Sequence, residues 1–289
     1  MALLRIARLT LRETARRKLL IALVILTVIV ALLTGWLFHK LYSLPCGEAP
    51  HLHRCTVATM DLAAATLLIL LLFMFSFVLA LGAAFVAAPS IATEIESGVL
   101  LSIATRPIRR SDILLGKWLG FAVLLALYGA LAIALEMVIL KVAMGYAPPH
   151  PVAAIAFIIA ESLIVLTLAM LGSTRLSAIT TGIIALALFG GAWLAGITGE
   201  VGQLFGNRTI ENAGTVGSLI MPTDGLWRGA IYNLEPLAVI LGQADLGQRA
   251  AANPFFVLSA PSPPYLLWAL AWGLAVLGLA LWSFQRREL

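Results

Sequence analysis

Charge is what this chain most lacks. Only 11% of its 289 residues are Asp, Glu, Lys or Arg, where soluble domains carry about 25%, and 61% are hydrophobic. With a mean hydropathy of +1.01, too few polar side chains remain to cover a water-soluble globule. Cysteine is scarce as well. Two residues, Cys46 and Cys55, exclude a disulfide-built scaffold and the multi-thiolate clusters of structural zinc domains. Four histidines occur, none of them in H-E-x-x-H. The phosphate-cradling G-x-x-x-x-G-K-[ST] is also missing, since Gly116-Lys117 is followed by Trp118. ATP chemistry therefore has to come from elsewhere, and this chain binds no cofactor of its own. Barrel-like alternation is lacking too, because the apolar runs are continuous and rich in Leu, Ala and Gly.

What is present is six apolar runs, at 19–38, 62–88, 113–144, 152–172, 176–197 and 265–284. A hydrocarbon core of about 30 Å needs about 20 such residues in a helix. The expected fold is an all-α integral membrane protein, one transmembrane domain over 1–289. An even number of spans puts both termini on one side. That side then holds Arg5, Arg8, Arg12, Arg16, Arg17, Lys18, Arg106, Arg109, Arg110, Lys117, Arg175, Arg286 and Arg287, 13 of the 19 basic residues. By the positive-inside rule it is cytoplasmic, in a multi-pass cell (inner) membrane. The net charge of +5 reflects this asymmetry and attraction to membrane lipid headgroups, not nucleic-acid binding. No cleavable signal is expected, because the first run is of spanning length and has no small-residue cleavage site.

Residues 1–18 place Arg5, Arg8, Arg12 and Arg16 on one helical stripe with Leu3, Leu4, Ala7 and Leu11 around it. They read as an amphipathic helix in the interface or as flanking charges on a longer first span. The loop after the first span contains Pro45-Cys-Gly-Glu-Ala-Pro-His-Leu-His-Arg-Cys55. In an oxidising compartment Cys46 and Cys55 are expected to pair. A soft metal site from Cys46, His51, His53 and Cys55 is the sharper alternative, although its spacing matches no recurrent zinc pattern.

Glu136 and Glu161 lie at similar distances on either side of the Pro148–Pro151 turn, so two carboxylates are expected at matched depth inside the membrane. Such groups are costly there, which makes them candidates for a shared polar site. The structural alternative has Glu136 reaching Lys141 and Glu161 hydrogen-bonded between helices. The segment 199–264 is too long for a turn, and its 219–236 stretch mixes Trp227 and Tyr232 with Asp224, Arg228 and Glu235. Short interfacial or re-entrant helices are expected there. A seventh span is broken by Pro222, Glu235 and Pro236.

The polar interruption at 89–112 carries the most specific signal: Glu94-Ile-Glu96-Ser-Gly98-Val-Leu100, then Arg106-Pro107-Ile-Arg-Arg110, then Ile113-Leu-Leu-Gly116-Lys117. This run resembles the signature of ABC-2 type permeases, the membrane subunits of ABC exporters, with Val99 in place of the usual Thr and Leu101 where an acidic residue is common. Pro222-Thr-Asp-Gly-Leu-Trp-Arg228 is similar to an element of the same superfamily. The resemblance implies a permease paired with a separate nucleotide-binding ATPase subunit, which carries the ATP and Mg. It also implies that Glu94, Glu96, Gly98, Arg106, Pro107 and Arg110 form a coupling helix docking on that subunit. A second permease chain, identical or paralogous, completes the pathway.

A secondary transporter would show internal inverted repeats, and none is evident. A membrane-embedded accessory or assembly protein would need no ATPase. An intramembrane enzyme would need a nucleophile or metal constellation in the spans. Little polar lining in the apolar runs favours a lipid-like or hydrophobic substrate.

Overall fold

The structure, a computed structural model, describes residues 2–15, 18–43, 57–97, 109–235, 255, 257 and 259–287. Among these residues all regular structure is helical: α1 (Ala2–Ala15), α2 (Lys18–Ser43), α3 (Val57–Glu96), α4 (Arg110–Met144), α5 (Pro151–Ser173), α6 (Ala178–Leu204), α7 (Arg208–Ile220), α8 (Thr223–Leu234) and α9 (Pro263–Gln285). Six are long and apolar enough to cross a membrane: α2, α3, α4, α5, α6 and α9. These are the six runs read from the sequence. The largest differences in length are in α3 and α6, which run on to Glu96 and Leu204 where ends at 88 and 197 were expected.

The axis of the bundle is α5, which packs against α3, α4, α6, α8 and α9. Its sequence explains the position. Ala154, Ile158, Val165, Leu166, Ala169 and Met170 are buried on several faces, as expected of a helix hydrophobic all round. By contrast α2 touches α4 and shows its remaining surface, Ile25, Leu32, Leu33 and Trp36, outward. Two polar contacts hold it there. The hydroxyls of Thr27 and Tyr128 lie 2.7 Å apart, and Thr34 donates to Glu136 at 2.8 Å.

The basic end of the bundle is built on backbone capping. Arg110 donates to the carbonyl oxygens of Gln285, at 3.3 Å, and Arg287, at 2.7 Å. Arg287 donates to Thr174 O, and Arg175 donates to the Ser283 hydroxyl at 3.0 Å. Helix C-termini leave carbonyls without donors and carry partial negative charge, so cations are favoured there. These arginines therefore tie the ends of α5 and α9 to the start of α4.

Helix α1 lies against α4 at this same end. It buries Ala7, Thr10 and Thr14 and leaves Arg5, Arg8 and Arg12 exposed, so these three members of the basic stripe face outward, while Arg16 lies outside the described residues. The contact depends on Gly116 and Gly120, one turn apart. A Cβ at Gly116 would fall 2.8 Å from the Ile6 side chain, and one at Gly120 would fall 2.8 Å from Ala7 O. Paired glycines of this kind let two helix backbones approach closely.

Candidate functional site

The site is made by the segment after α6, at the end of the bundle opposite the arginines. Helix α6 ends at Leu204, and Gly206 just beyond it has a φ of 62°, in the left-handed region. Asn207 then caps α7, its Oδ1 accepting from Thr209 N at 3.0 Å and from Ile210 N at 3.4 Å. Helix α7 folds back on α6 at backbone distance: a Cβ at Gly202 would lie 2.3 Å from Glu211 N, and one at Gly214 would lie 2.3 Å from Gly199 N.

After Met221-Pro222 the chain reverses again, and α8 climbs antiparallel to α5. The Phe157 ring occupies the space beside Gly229. His150 N donates to Asn233 O at 3.1 Å, and the Tyr146 hydroxyl donates to Leu234 O at 2.5 Å. Helices α7 and α8 are thus a re-entrant hairpin whose tip lies beside the middle of α5, about 15 Å in from the far end for ten residues at about 1.5 Å each. Non-helical backbone at such depth is tolerated where protein or a polar cavity surrounds it.

The tip carries charge. Asp224 follows the tip directly and is 4% exposed. It fits there because Gly196 has no side chain; a Cβ at that position would overlap the carboxylate. Arg228, one turn later on α8, donates from Nε to Asp224 Oδ2 at 2.7 Å and from Nη1 to Glu200 of α6. Glu161 of α5, also 4% exposed, accepts from the Ser76 hydroxyl of α3 at 3.0 Å. From α9, the Tyr265 hydroxyl accepts from Gly225 N at 3.2 Å.

These groups bound two spaces. One is a cleft of about 470 Å³ whose walls include Gly196, Glu200, Ser218, Asp224, Arg228 and Tyr265. The other is a buried compartment of about 10 Å³ between Ser76, Glu161, Thr223, Asp224 and Trp227. Asp224 belongs to both. Phe73 anchors the aromatic wall beside the smaller space, with ring centroids 5.2 Å from Trp193, 5.6 Å from Trp227 and 4.9 Å from Phe77. Two carboxylates paired with one guanidinium, and a third carboxylate, Glu161, beside Asp224, make a polar surface, and no nucleophile–base pair is present among its described residues. At the outer end of α8, burial pushes the Glu235 carboxyl up to about 7, although its Oε1 accepts from Val257 N at 3.2 Å.

The residues singled out from the sequence are distributed differently. Glu161 is in the site, but Glu136 is not: it is fully buried and faces Thr34 on α2, so the two carboxylates bond to different helices. Glu136 accepts from Thr34, not from Lys141 as the structural alternative had it. Matched depth along two helices left their rotation about the axes open, and that rotation separates the pair. At the basic end, Glu94 closes an ion pair with Lys117, which also donates to Ser90 O at 2.6 Å. Arg110 is engaged with α9. The Glu96 side chain, Gly98, Arg106 and Pro107 lie outside the described residues, as do Cys46, His51, His53 and Cys55 and hence both the disulfide and the metal reading of that loop.

Glu200, Tyr265 and Lys117 were missed as site or pairing residues. The i,i+4 spacing of Asp224 and Arg228 was a usable signal, as was the glycine spacing 196, 199, 202 that permits a close partner helix.

A helical bundle with six membrane-length helices and a polar re-entrant hairpin is the architecture of a multi-pass membrane protein. The chain belongs to the ABC-2 transporter family: the family model described as "ABC-2 family transporter protein" matches residues 4–207, which takes in α1 to α6 and stops before the hairpin. It is a permease of an ABC transporter. No curated protein matches the chain in sequence.

Proposed function

We propose that the chain is the membrane half of an ATP-driven exporter, working as a dimer with separate ATPase subunits that grip the connection between α3 and α4. The family match, which spans that connection, is the observation that carries the reading. The Lys and Arg asymmetry supports a cytoplasmic basic end, which puts the connection within reach of a soluble ATPase and the hairpin cleft toward the outside. ATP and Mg belong to that partner. Polar side chains concentrated at the far-end cleft, with mostly apolar spans around it, support an amphipathic or lipid-like solute over a large hydrophilic one.

The test is co-purification with the ATPase and its substrate-stimulated hydrolysis. Because Glu94 pairs inside the chain with Lys117, its replacement would mix two effects. The informative variant is Glu96→Ala with Gly98→Trp, and Lys117→Met controls for the internal pair. The expected result is lost coupling in the double variant with the protein still inserted. Normal assembly and normal stimulated hydrolysis in that variant would falsify the docking assignment.

A further inference from the structure

The far-end cleft carries a surplus of negative charge and of hydrogen-bond acceptors. Among its described walls the charged residues are Glu200, Asp224 and Arg228, so two carboxylates share one guanidinium and a single negative charge is left over. Each acid gives Arg228 one oxygen: Asp224 Oδ2 accepts from Nε at 2.7 Å, and Glu200 Oε1 accepts from Nη1. The second oxygens, Asp224 Oδ1 and Glu200 Oε2, accept from no described residue, yet neither is sealed from solvent. Asp224 is otherwise almost wholly buried, so the carboxylate is held in place with one oxygen to spare. The cleft's hydroxyls add to the excess. Thr215 donates to Glu211 O at 3.0 Å and Ser218 donates to Thr215 O at 3.0 Å. Both spend their hydrogens inside α7 and have only oxygen lone pairs left for the cleft.

An occupant that answers these walls brings positive charge and hydrogens together. An anion would meet two carboxylates around a guanidinium that they already neutralise. A metal ion would sit beside that guanidinium, and no three His, Cys, Asp or Glu among the described residues are grouped to hold one. A quaternary ammonium has no N–H and relies on aromatic faces, whereas Tyr265 is the one aromatic residue in the cleft's described wall. A protonated amine suits both demands, because its N–H groups make charge-assisted bonds to carboxylate oxygens. The volume of about 470 Å³ is that of a small-molecule site. Val257, Ala260 and Pro261 give it an apolar side.

We infer that the cleft binds the ammonium group of an amphipathic primary amine. Its N–H groups are taken by Glu200 and Asp224, and its hydrocarbon lies against Val257, Ala260 and Pro261. Arg228 is the fixed cation that holds the two acids in place, and the amine is the exchangeable one that completes the neutralisation. This names the class of solute for the cleft and rests on the reading of that cleft as the exported solute's site, but binding is a property of this chain alone. A free alkylamine and the headgroup of an aminolipid offer the same chemistry, so the experiment separates the two sources.

The experiment is equilibrium dialysis of radiolabelled n-hexylammonium against the full chain in phosphatidylcholine nanodiscs, without an ATPase and with uptake by empty nanodiscs subtracted. The expected result is saturable uptake approaching about one equivalent per chain, displaced by unlabelled hexylammonium and not by hexanol, hexanoate or hexyltrimethylammonium. Glu200→Gln, which removes the surplus charge, weakens binding by about tenfold or more. Thr215→Val with Ser218→Ala, whose hydroxyls bond only within α7, weakens it by about fivefold and serves if the first variant does not fold. Phosphatidylethanolamine in the nanodiscs lowers the apparent affinity if an aminolipid headgroup is an occupant and leaves it unchanged if only the free amine is; either result keeps the ammonium site. The inference is overturned by uptake no greater than that of empty nanodiscs, by equal displacement with hexanol, or by parental affinity in the folded variants. Saturable uptake by a chain that couples to no ATPase would sink the transport reading and leave this site standing.

Discussion

Removing Arg228 should be the most damaging single change at the hairpin, for an electrostatic reason that can be reversed. The guanidinium sits between Asp224 and Glu200, so Arg228→Met leaves two carboxylates facing each other across an apolar thioether. Breaking a buried ion pair by deleting one partner costs about 3–5 kcal/mol. The Arg228 and Glu200 side chains are 22% and 21% exposed, so water recovers part of that and about 2–4 kcal/mol is expected. For a chain of this size about 2–4 °C of melting temperature accompanies each kcal/mol, so the variant should melt on the order of 10 °C lower in nanodiscs. Neutralising the stranded acids in Arg228→Met/Asp224→Asn/Glu200→Gln should return most of the loss, because the cost lies in unpaired charge. A single variant that melts like the parent, or a triple variant no more stable than the single, would refute the electrostatic account and leave the hairpin held by its glycine packing and backbone hydrogen bonds.

Gly120→Leu should lift α1 from α4, because a Cβ there already meets Ala7 O at 2.8 Å. A cost of about 1–3 kcal/mol and faster hydrogen exchange confined to residues 2–15 are expected. Glu136→Gln should change little, since the amide oxygen still accepts from Thr34. Glu136→Leu should lower the melting temperature by the equivalent of about 1 kcal/mol, a small figure because Thr34 can fall back on Ala31 O at 3.1 Å; an export defect in the Gln variant would contradict this structural role. Glu235 gives a pH dependence. Its folded-state value of about 7 lies above the ordinary glutamate value of 4.5, so its contribution is fully present below about 4.5 and is lost as pH rises through about 7. Melting should fall between those limits, by at most about 3 kcal/mol, and Glu235→Gln should flatten the profile.

The spans were legible because twenty-residue apolar runs have few alternatives in a membrane protein, and their order and number are those of the structure. Helix rotation was not legible. Runs such as 113–144 are apolar on all sides, so nothing in them showed that Glu136 faces α2 while Glu161 faces α3 and α8. The hairpin was half legible. Pro222 and the mixed aromatic and charged residues of 219–236 announced short helices, but α7's place against α6 rests on Gly199, Gly202 and Gly214. Glycine spacing becomes informative only when the partner helix is known. The pairing of Glu200 with Arg228 spans 28 residues and passes through two reversals, beyond the reach of local periodicity. The arginines were read as markers of one side, and the hydrogen bonds that Arg110, Arg175 and Arg287 make to helix ends are visible only in three dimensions.

The two ends of the molecule are connected by one helix. From Glu94, at the basic end, α3 rises 18 residues to Ser76, about 27 Å, where its hydroxyl bonds to Glu161; one turn further, Phe73 centres the aromatic wall. Pro89 interrupts the hydrogen-bond ladder of α3 just above Glu94, and proline is where a helix bends. Below Pro89, Lys117 staples Ser90 O and Glu94 to α4, and α1 lies on the Gly116–Gly120 face of that same stretch. Above it, α3 packs with α5 and α6. A force applied to the α3–α4 connection would therefore move the base of α3, the start of α4 and α1 together, with the end of α9 drawn along through Arg110. Pro89 is the natural place for that end to tilt against the rest. A tilt there acts on Ser76 and Phe73, which wall the buried compartment, before it acts on Asp224 and Arg228, which belong to the hairpin. Glu161 is then the charged group of the buried compartment most directly exposed to movement at the base.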